Sequence, residues 1–171
     1  MDVALPMRRK NQALSAEDCR VVLERATAGV LALNDPEQGV PYQVPLSYAL
    51  IDAPEEGGVH LVFHGALKGH KMDLLAADGR ASFTVIDQDE IVPEKFTSLY
   101  RSVVCAGCVR VVADAAERED LLVKLSLRYW PGHRPEAEVE ARKFLDATAV
   151  LVFDVASMTG KQARGLARAR T

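Results

Sequence analysis

The residues best suited to chemistry lie in one segment, Phe63-His64-Gly65-Ala66-Leu67-Lys68-Gly69-His70-Lys71. A strand pattern ends at His64-Gly65. Helical spacing of Leu67, Met72 and Leu75 follows, which places Gly69, His70 and Lys71 in a first helical turn. A helix start offers free backbone N–H groups and the positive end of the helix dipole. His70 and Lys71 add charge-assisted donors, and two glycines let a ligand approach the backbone closely. This is the layout of an anion or phosphate site. With no Walker-type phosphate loop, the same residues also suit a surface turn with solvated His70 and Lys71.

Other chemistry is harder to assemble. His60 and His64 stand four apart in a strand, roughly 13 Å end to end, too far for one metal ion. Cys105 and Cys108 form a CxxC, but within a strand they point to opposite faces, and both are expected to be small buried side chains. No metal site is expected. Asp87, Asp89, Glu90 and Glu94 fall in a polar stretch that reads as a solvated loop, so no carboxylate pair is placed for acid–base work. Tyr100-Arg101-Ser102-Val103 opens an otherwise apolar strand. Arg101 and Ser102 there could donate to a ligand at a sheet edge or simply emerge into solvent.

The elements that must position these residues follow from periodicity. Ser15 with Asp18 has capping-box character, and Cys19, Val22, Leu23 and Ala26 recur at helical spacing, predicting a helix over 16–27 closed by Gly29. Strands are predicted at 29–34, 41–51, 59–65, 80–87, 100–112 and 148–157, with turns at 35–39 and 53–58. Helices are expected over 66–79 (closing at Gly79), 115–129 and after Pro135. Pro45 inside the second strand marks an edge, a bulge or a meeting point with something else, and Gly107 a bulge or sharp bend. The pattern describes an α+β, mainly β domain: a six-stranded antiparallel sheet able to curl into a small barrel, with flanking helices. It is not a dinucleotide-binding doubly wound fold, because strands and helices do not alternate and no GxGxxG occurs.

Composition limits the function. With 171 residues the chain is one domain, 1–171. Its net charge is −3, its aromatic content is 6%, and an acidic body of −7 carries a +4 tail over 160–171, so a nucleic-acid partner is not expected. No apolar run reaches the ~18 residues of a membrane span and no signal-peptide core is present, so no membrane partner and a cytoplasmic location are expected.

Six stretches in this order resemble the FMN-binding split β-barrel superfamily of pyridoxamine 5′-phosphate oxidase, in particular its nitroimidazole-resistance and flavin-nucleotide-binding members. They are MRRKNQALS at 7–15, PYQVPLSY at 41–48, FHGALKGHK at 63–71, VPEKFT at 92–97, YRSVVCAGCV at 100–109 and TGK at 159–161. The resemblance implies a homodimer with a flavin, FMN or a relative such as FAD, at the subunit interface. It further implies that Val44, Pro45 and Leu46 run under the isoalloxazine and contact it through the backbone. His64 and Gly65 would lie near the ribityl chain, His70 and Lys71 at the phosphate, and Arg101 and Ser102 beside the flavin. Ser102 stands where the oxidase commonly has a glutamine. The tail GKQARGLARART lacks the oxidase's arginine- and histidine-containing segment, so vitamin B6 oxidation itself is not implied. The implied activity is reduction of a small acceptor, a nitro-aromatic or quinone, by hydride transfer from the flavin, with His64 as the proton-donating catalytic residue. The alternative is a flavin-binding protein for storage, delivery or sensing.

Overall fold

The computed structural model describes residues 8–53 and 58–168; Met7, Pro54–Gly57 of the expected second turn and Arg170 of the tail lie outside the described residues. Among the described residues, seven strands make one antiparallel sheet. They are β1 (Ala28–Leu33), β2 (Tyr42–Ser47), β3 (Ala49–Ala53), β4 (Gly58–Ala66), β5 (Arg80–Val92), β6 (Thr97–Val111) and β7 (Thr148–Gln162). The helices are α1 (Ala16–Arg25), α2 (His70–Ala77), α3 (Ala115–Tyr129), α4 (Arg134–Phe144) and α5 (Arg164–Arg168).

The spatial order is β2-β1-β5-β6-β7-β4-β3. The two edge strands, β2 and β3, are therefore consecutive in sequence, with Tyr48 alone between them. A flat sheet could not satisfy that connection, so the sheet curls until its edges meet at a seam. The single strand expected over 41–51 is thus two strands, and the count is seven instead of six. The corner is visible in burial: alternation runs through β2, then Tyr48 and Ala49 are both buried in succession. The Tyr48 hydroxyl donates to Leu23 O at the end of α1 (2.6 Å). Its backbone N–H donates to the Tyr129 hydroxyl (2.9 Å). That hydroxyl lies 2.7 Å from both Thr27 O and Tyr48 O and can donate to either.

Two cores flank the sheet. Leu61 and Phe63 of β4 and Leu151 and Phe153 of β7 face the interior with Leu31, Phe83, Val85, Val103 and the Cys19–Val22–Leu23 stripe of α1. The alternate residues Val62, Val150 and Val152 face outward beneath Leu121, Leu122, Ala137 and Ala141 of α3 and α4. Burial on both faces explains why β4 and β7 are apolar runs without alternation. Helix α1 begins at the expected cap, where Ser15 Oγ accepts from Asp18 N (3.1 Å). It ends at Arg25, and Gly29 lies inside β1, where a Cβ would meet Thr84 O at 2.6 Å. Gly79 likewise does not cap α2, which ends at Ala77; it allows close approach to Val109 O instead. Gly107 fulfils its expected role: the β6–β7 register shifts between Ala106 and Gly107, and a Cβ there would collide with Asp154 O.

The polar stretch 87–96 is mostly strand. β5 runs to Val92, a 3-10 turn spans Pro93–Lys95, and β6 starts at Thr97. Cys105 is buried but Cys108 is exposed, so the opposite-face expectation holds and burial of both does not. No helix among the described residues is long and apolar enough to cross a membrane.

Replacing Tyr48 with Phe leaves Leu23 O buried without its donor. Denaturant unfolding should show a loss of about 1–3 kcal/mol; an unchanged midpoint would remove this bond from the account of seam closure.

Candidate functional site

Strand β4 carries His64 and Gly65 in its last rows of pairing with β7, ends at Ala66, and the chain then turns through Gly69 (φ 126°) into α2. A positive φ of this size suits glycine alone. Met72 N and Asp73 N both donate to Gly69 O (2.7 and 3.2 Å), closing the first turn and leaving the N–H groups of His70 and Lys71 outside the helical ladder. Lys71 folds back over the strand end, so that a Cβ built on Gly65 would lie 2.7 Å from Lys71 Nζ. The missing side chain at Gly65 is what admits the ammonium. No carboxylate pairs with Lys71 among the described residues, and burial pushes its pKa down. A half-buried cation without a counter-ion, beside free N–H groups, fits a phosphate.

His70 is placed differently. Its Nε2 lies 2.6 Å from Asp35 Oδ2, and its ring stands edge-on to Tyr42 at 5.1 Å. The Asp35 carboxyl is buried, 3% exposed, and is held below the usual carboxylate range by the bond to His70 and by the N–H groups of Gln38 and Glu37. Gln38 N donates to Asp35 Oδ1 (3.0 Å). His70 therefore ties the start of α2 to the β1–β2 turn, and Lys71 is the free cation of the pair.

Across the seam, β2 brings Ser47 next to His64. Both line a cavity of about 440 Å³ walled by Leu122 and Leu125 of α3 and Phe144 of α4, with Glu140 at its rim. His64 is exposed into this space and has no hydrogen-bond partner among the described residues. Pro45 pairs opposite Val30 on an edge strand, where a missing N–H is tolerated. Val44 and Leu46 turn their side chains toward the interior core, so only their backbone can meet a ligand on the outer face.

Arg101 and Ser102 are elsewhere. The Arg101 guanidinium makes a bidentate bond to Asp87 (2.9–3.0 Å), and Arg25 approaches the same carboxylate at 3.8 Å. Asp87 sits at a register shift between Ile86 and Gln88 that carries its side chain inward, so its carboxylate is buried and paired, not solvated. Ser102 pairs with Lys161 at the end of β7, whereas Gly65 pairs with Ala149 near the start. Twelve residues of β7 separate these positions, which is ~40 Å along a straight strand. The predicted residues thus form two groups: Val44, Pro45, Leu46, His64, Gly65, His70 and Lys71 at the seam, and Arg101 and Ser102 at the far end.

Sequence reasoning missed Ser47, Phe144 and the Asp35 clamp. Asp35 read as a turn residue, and nothing local marks a carboxylate that pairs 35 positions away.

A curled antiparallel barrel with a cation-bearing turn at its seam defines a class of ligand-binding split barrels. Residues 15–162 match the family Pyridoxamine 5′-phosphate oxidase, and the chain belongs to it. No protein of curated function matches significantly. Among solved structures the fold is similar to an FAD and heme binding protein of Mycobacterium smegmatis (TM-score 0.74, 25% identity, covering 91% of this chain and 75% of that one). It is also similar to an FAD-binding protein of Mesorhizobium loti (TM-score 0.60, 26% identity, 89% and 97% covered). A third similar fold is a candidate 5-nitroimidazole antibiotic resistance protein of Bacteroides thetaiotaomicron (TM-score 0.69, 20% identity, 88% and 86% covered). The family match and the similar folds together make the chain a split barrel of the pyridoxamine 5′-phosphate oxidase family.

Lys71 is protonated in both the folded and the unfolded chain well below either pKa, so its desolvation cost is present in full at neutral pH. Lys71→Met should raise the melting temperature of the flavin-free protein at pH 7, and the gain should shrink as pH rises through the folded pKa of the lysine. A lowered melting temperature would mean that the ammonium already has a stabilising partner.

Proposed function

We propose that this chain binds flavin mononucleotide between two copies of itself and reduces a small aromatic acceptor, a nitro-aromatic or a quinone, in the cytoplasm. One observation carries the reading: the unpaired Lys71 ammonium over Gly65, beside the cavity that holds His64. Lys71 and the first N–H groups of α2 hold the phosphate, and the backbone of Val44, Pro45 and Leu46 faces the ring system. When bound, the flavin supplies the hydride. His64 gives a proton to the reduced acceptor held in the apolar cavity. FMN and FAD share the ring system and the first phosphate and differ by the adenylate of FAD; one half-buried cation, Lys71, suits the mononucleotide.

The homodimer rests on two observations. Ser102 pairs with β7 twelve residues from the partner of Gly65, so a flavin touched by both groups would draw on two copies. The outer sheet face is also left bare where α3 and α4 end. Val30, Ala32, Ser82, Thr84, Ile86 and Val104 lie there, uncharged, with Ile86 and Val104 exposed. An uncharged face across three neighbouring strands suits burial against a second copy.

A second reading, a flavin carrier without turnover, is favoured by one feature. His64 has no orienting partner among the described residues, unlike the usual positioned acid or base.

Purified protein should be yellow, and Lys71→Ala should weaken FMN binding more than tenfold, about 1.4 kcal/mol. Colourless protein that takes up no added FMN refutes both readings. Bleaching by NADH or NADPH under anaerobic conditions, then recovery with a nitro-aromatic, supports the enzyme; flavin that no reductant bleaches supports the carrier. Val104→Glu should give monomers by sedimentation and lose retained flavin in the same step. Monomers that keep their flavin would place the whole site within one chain.

A further inference from the structure

Strands β5 and β6 outrun the rest of the sheet. β1 pairs with β5 only over Ala81–Thr84, and β7 pairs with β6 only from Arg101 onward. Beyond those rows Glu90–Val92 and Thr97–Leu99 pair with each other alone among the described strands, in a two-stranded ribbon closed by the Pro93–Lys95 turn. Such a ribbon is marginal in water by itself. This one also carries apolar side chains into solvent: Ile91 is 68% exposed and Phe96 99%. Phe96 has φ 47°, a left-handed backbone that a bulky side chain adopts at a cost. Nothing that Phe96 touches within its own chain offsets that cost.

Three features point to a second copy as what the tip meets. The ribbon continues the uncharged sheet face: Ile91 and Ile86 stand opposite Ser98 and Ser102, which share one face of β6 with the exposed Val104. Its reach also fits, because Thr97 lies five residues along β6 from Ser102, ~17 Å, so a ribbon with Ser102 beside the flavin of another copy passes that flavin to the structure behind it. What flanks the flavin's seam is apolar and basic. Phe144, 43% exposed, lines the His64 cavity, and exposed Leu67 and Lys68 lie in the turn after His64. The ribbon is acidic, with exposed Asp89, Glu90 and Glu94 against Lys95. Opposite charge and paired apolar groups match tip to seam, and two-fold symmetry makes the match twice. We propose that the β5–β6 hairpin is an arm that crosses to the second copy and lays Phe96 over Phe144, as the outer wall of the cavity beside His64. The acceptor is enclosed between the two chains, and facing aromatic rings select a planar aromatic over a non-planar molecule of equal size. This rests on the reading of a flavin held between two copies.

A short bismaleimide linker reads the docking directly, in flavin-free and FMN-saturated protein alike. In a Cys108→Ser background, which removes the exposed native thiol, a tagged Phe96→Cys chain is co-expressed with an untagged Phe144→Cys chain. The expected product joins one chain of each kind. Val139→Cys in place of Phe144→Cys should give at least tenfold less, because Val139 lies two residues from buried Ala137 and Ala141, on the outer side of α4. Phe96→Ala should leave dimers and retained FMN unchanged and weaken 1,4-naphthoquinone at least fivefold, by titration into the FMN-loaded protein. Dimers by sedimentation that yield no more product with Phe144→Cys than with Val139→Cys overturn the docking. Monomers that bind FMN overturn it too, and leave flavin binding standing. Specific crosslinking in protein that takes up no FMN upholds the docking and refutes the flavin reading alone. Naphthoquinone binding that Phe96→Ala leaves unaltered overturns the role of Phe96 in the acceptor cavity.

Discussion

The meeting of the two sheet edges at Tyr48 is the constraint on which the rest of the molecule depends. Because β2 and β3 are edge strands joined by one residue, every other strand must be arranged so that the sheet rolls through a full turn between them. Tyr48 is fully buried at that corner, and its hydroxyl, N–H and carbonyl are all engaged by α1 and by Tyr129 of α3. Arg128, next to Tyr129, donates to Ala26 O and Glu24 O, so the end of α3 is fastened to the end of α1 at the same place. A polar group buried without these partners would oppose closure; with them, closure is specific as well as favourable. Only after closure does Ser47 stand beside His64, although they are far apart along the sheet order.

How much of this was legible depended on the range of the interaction. Helix α1 was readable because its cap, Ser15 to Asp18, and its apolar stripe are local. The paired runs of β4 and β7 were readable as strands because burial on both faces leaves a continuous apolar signature. The corner at Tyr48 was not, because the two-residue period passes through 42–48 without a fault and the bend is imposed by partners 25 and 81 residues away. Gly29 and Gly79 read as helix ends for a similar reason. Their true role is to admit Phe83 and Val109 from other strands, and no local pattern records a close approach.

The candidate site divides along the same line. Gly65, Gly69 and Lys71 are consecutive enough for their chemistry to be visible, and the structure adds the fold-back of Lys71 over Gly65. His70 and Arg101 looked equally available as ligand donors, but each meets a buried carboxylate, Asp35 and Asp87. An arginine or histidine in a polar stretch carries no mark of whether a distant carboxylate has already claimed it. Burial decides: an unpaired buried carboxylate is costly enough that the nearest cation is drawn to it before any ligand arrives.

The charge distribution shows how local anion sites are compatible with a chain of net charge −3. Lys71 stands at the seam and Arg9, Lys95 and Arg164 at the far end of the fold, while the rest of the chain carries a net negative charge. At physiological salt, screening over about 8 Å cuts the influence of the acidic body on either group. An anion at Lys71 is therefore selected by short-range geometry, and the acidic body discourages extended polyanions that would need a continuous basic surface. The two groups also differ in kind. Lys71 is half-buried, and its desolvation opposes folding unless an anion meets it, whereas Arg9, Lys95 and Arg164 are exposed and cost the fold little. A resident ligand suits the first arrangement, because its loss is felt by the fold.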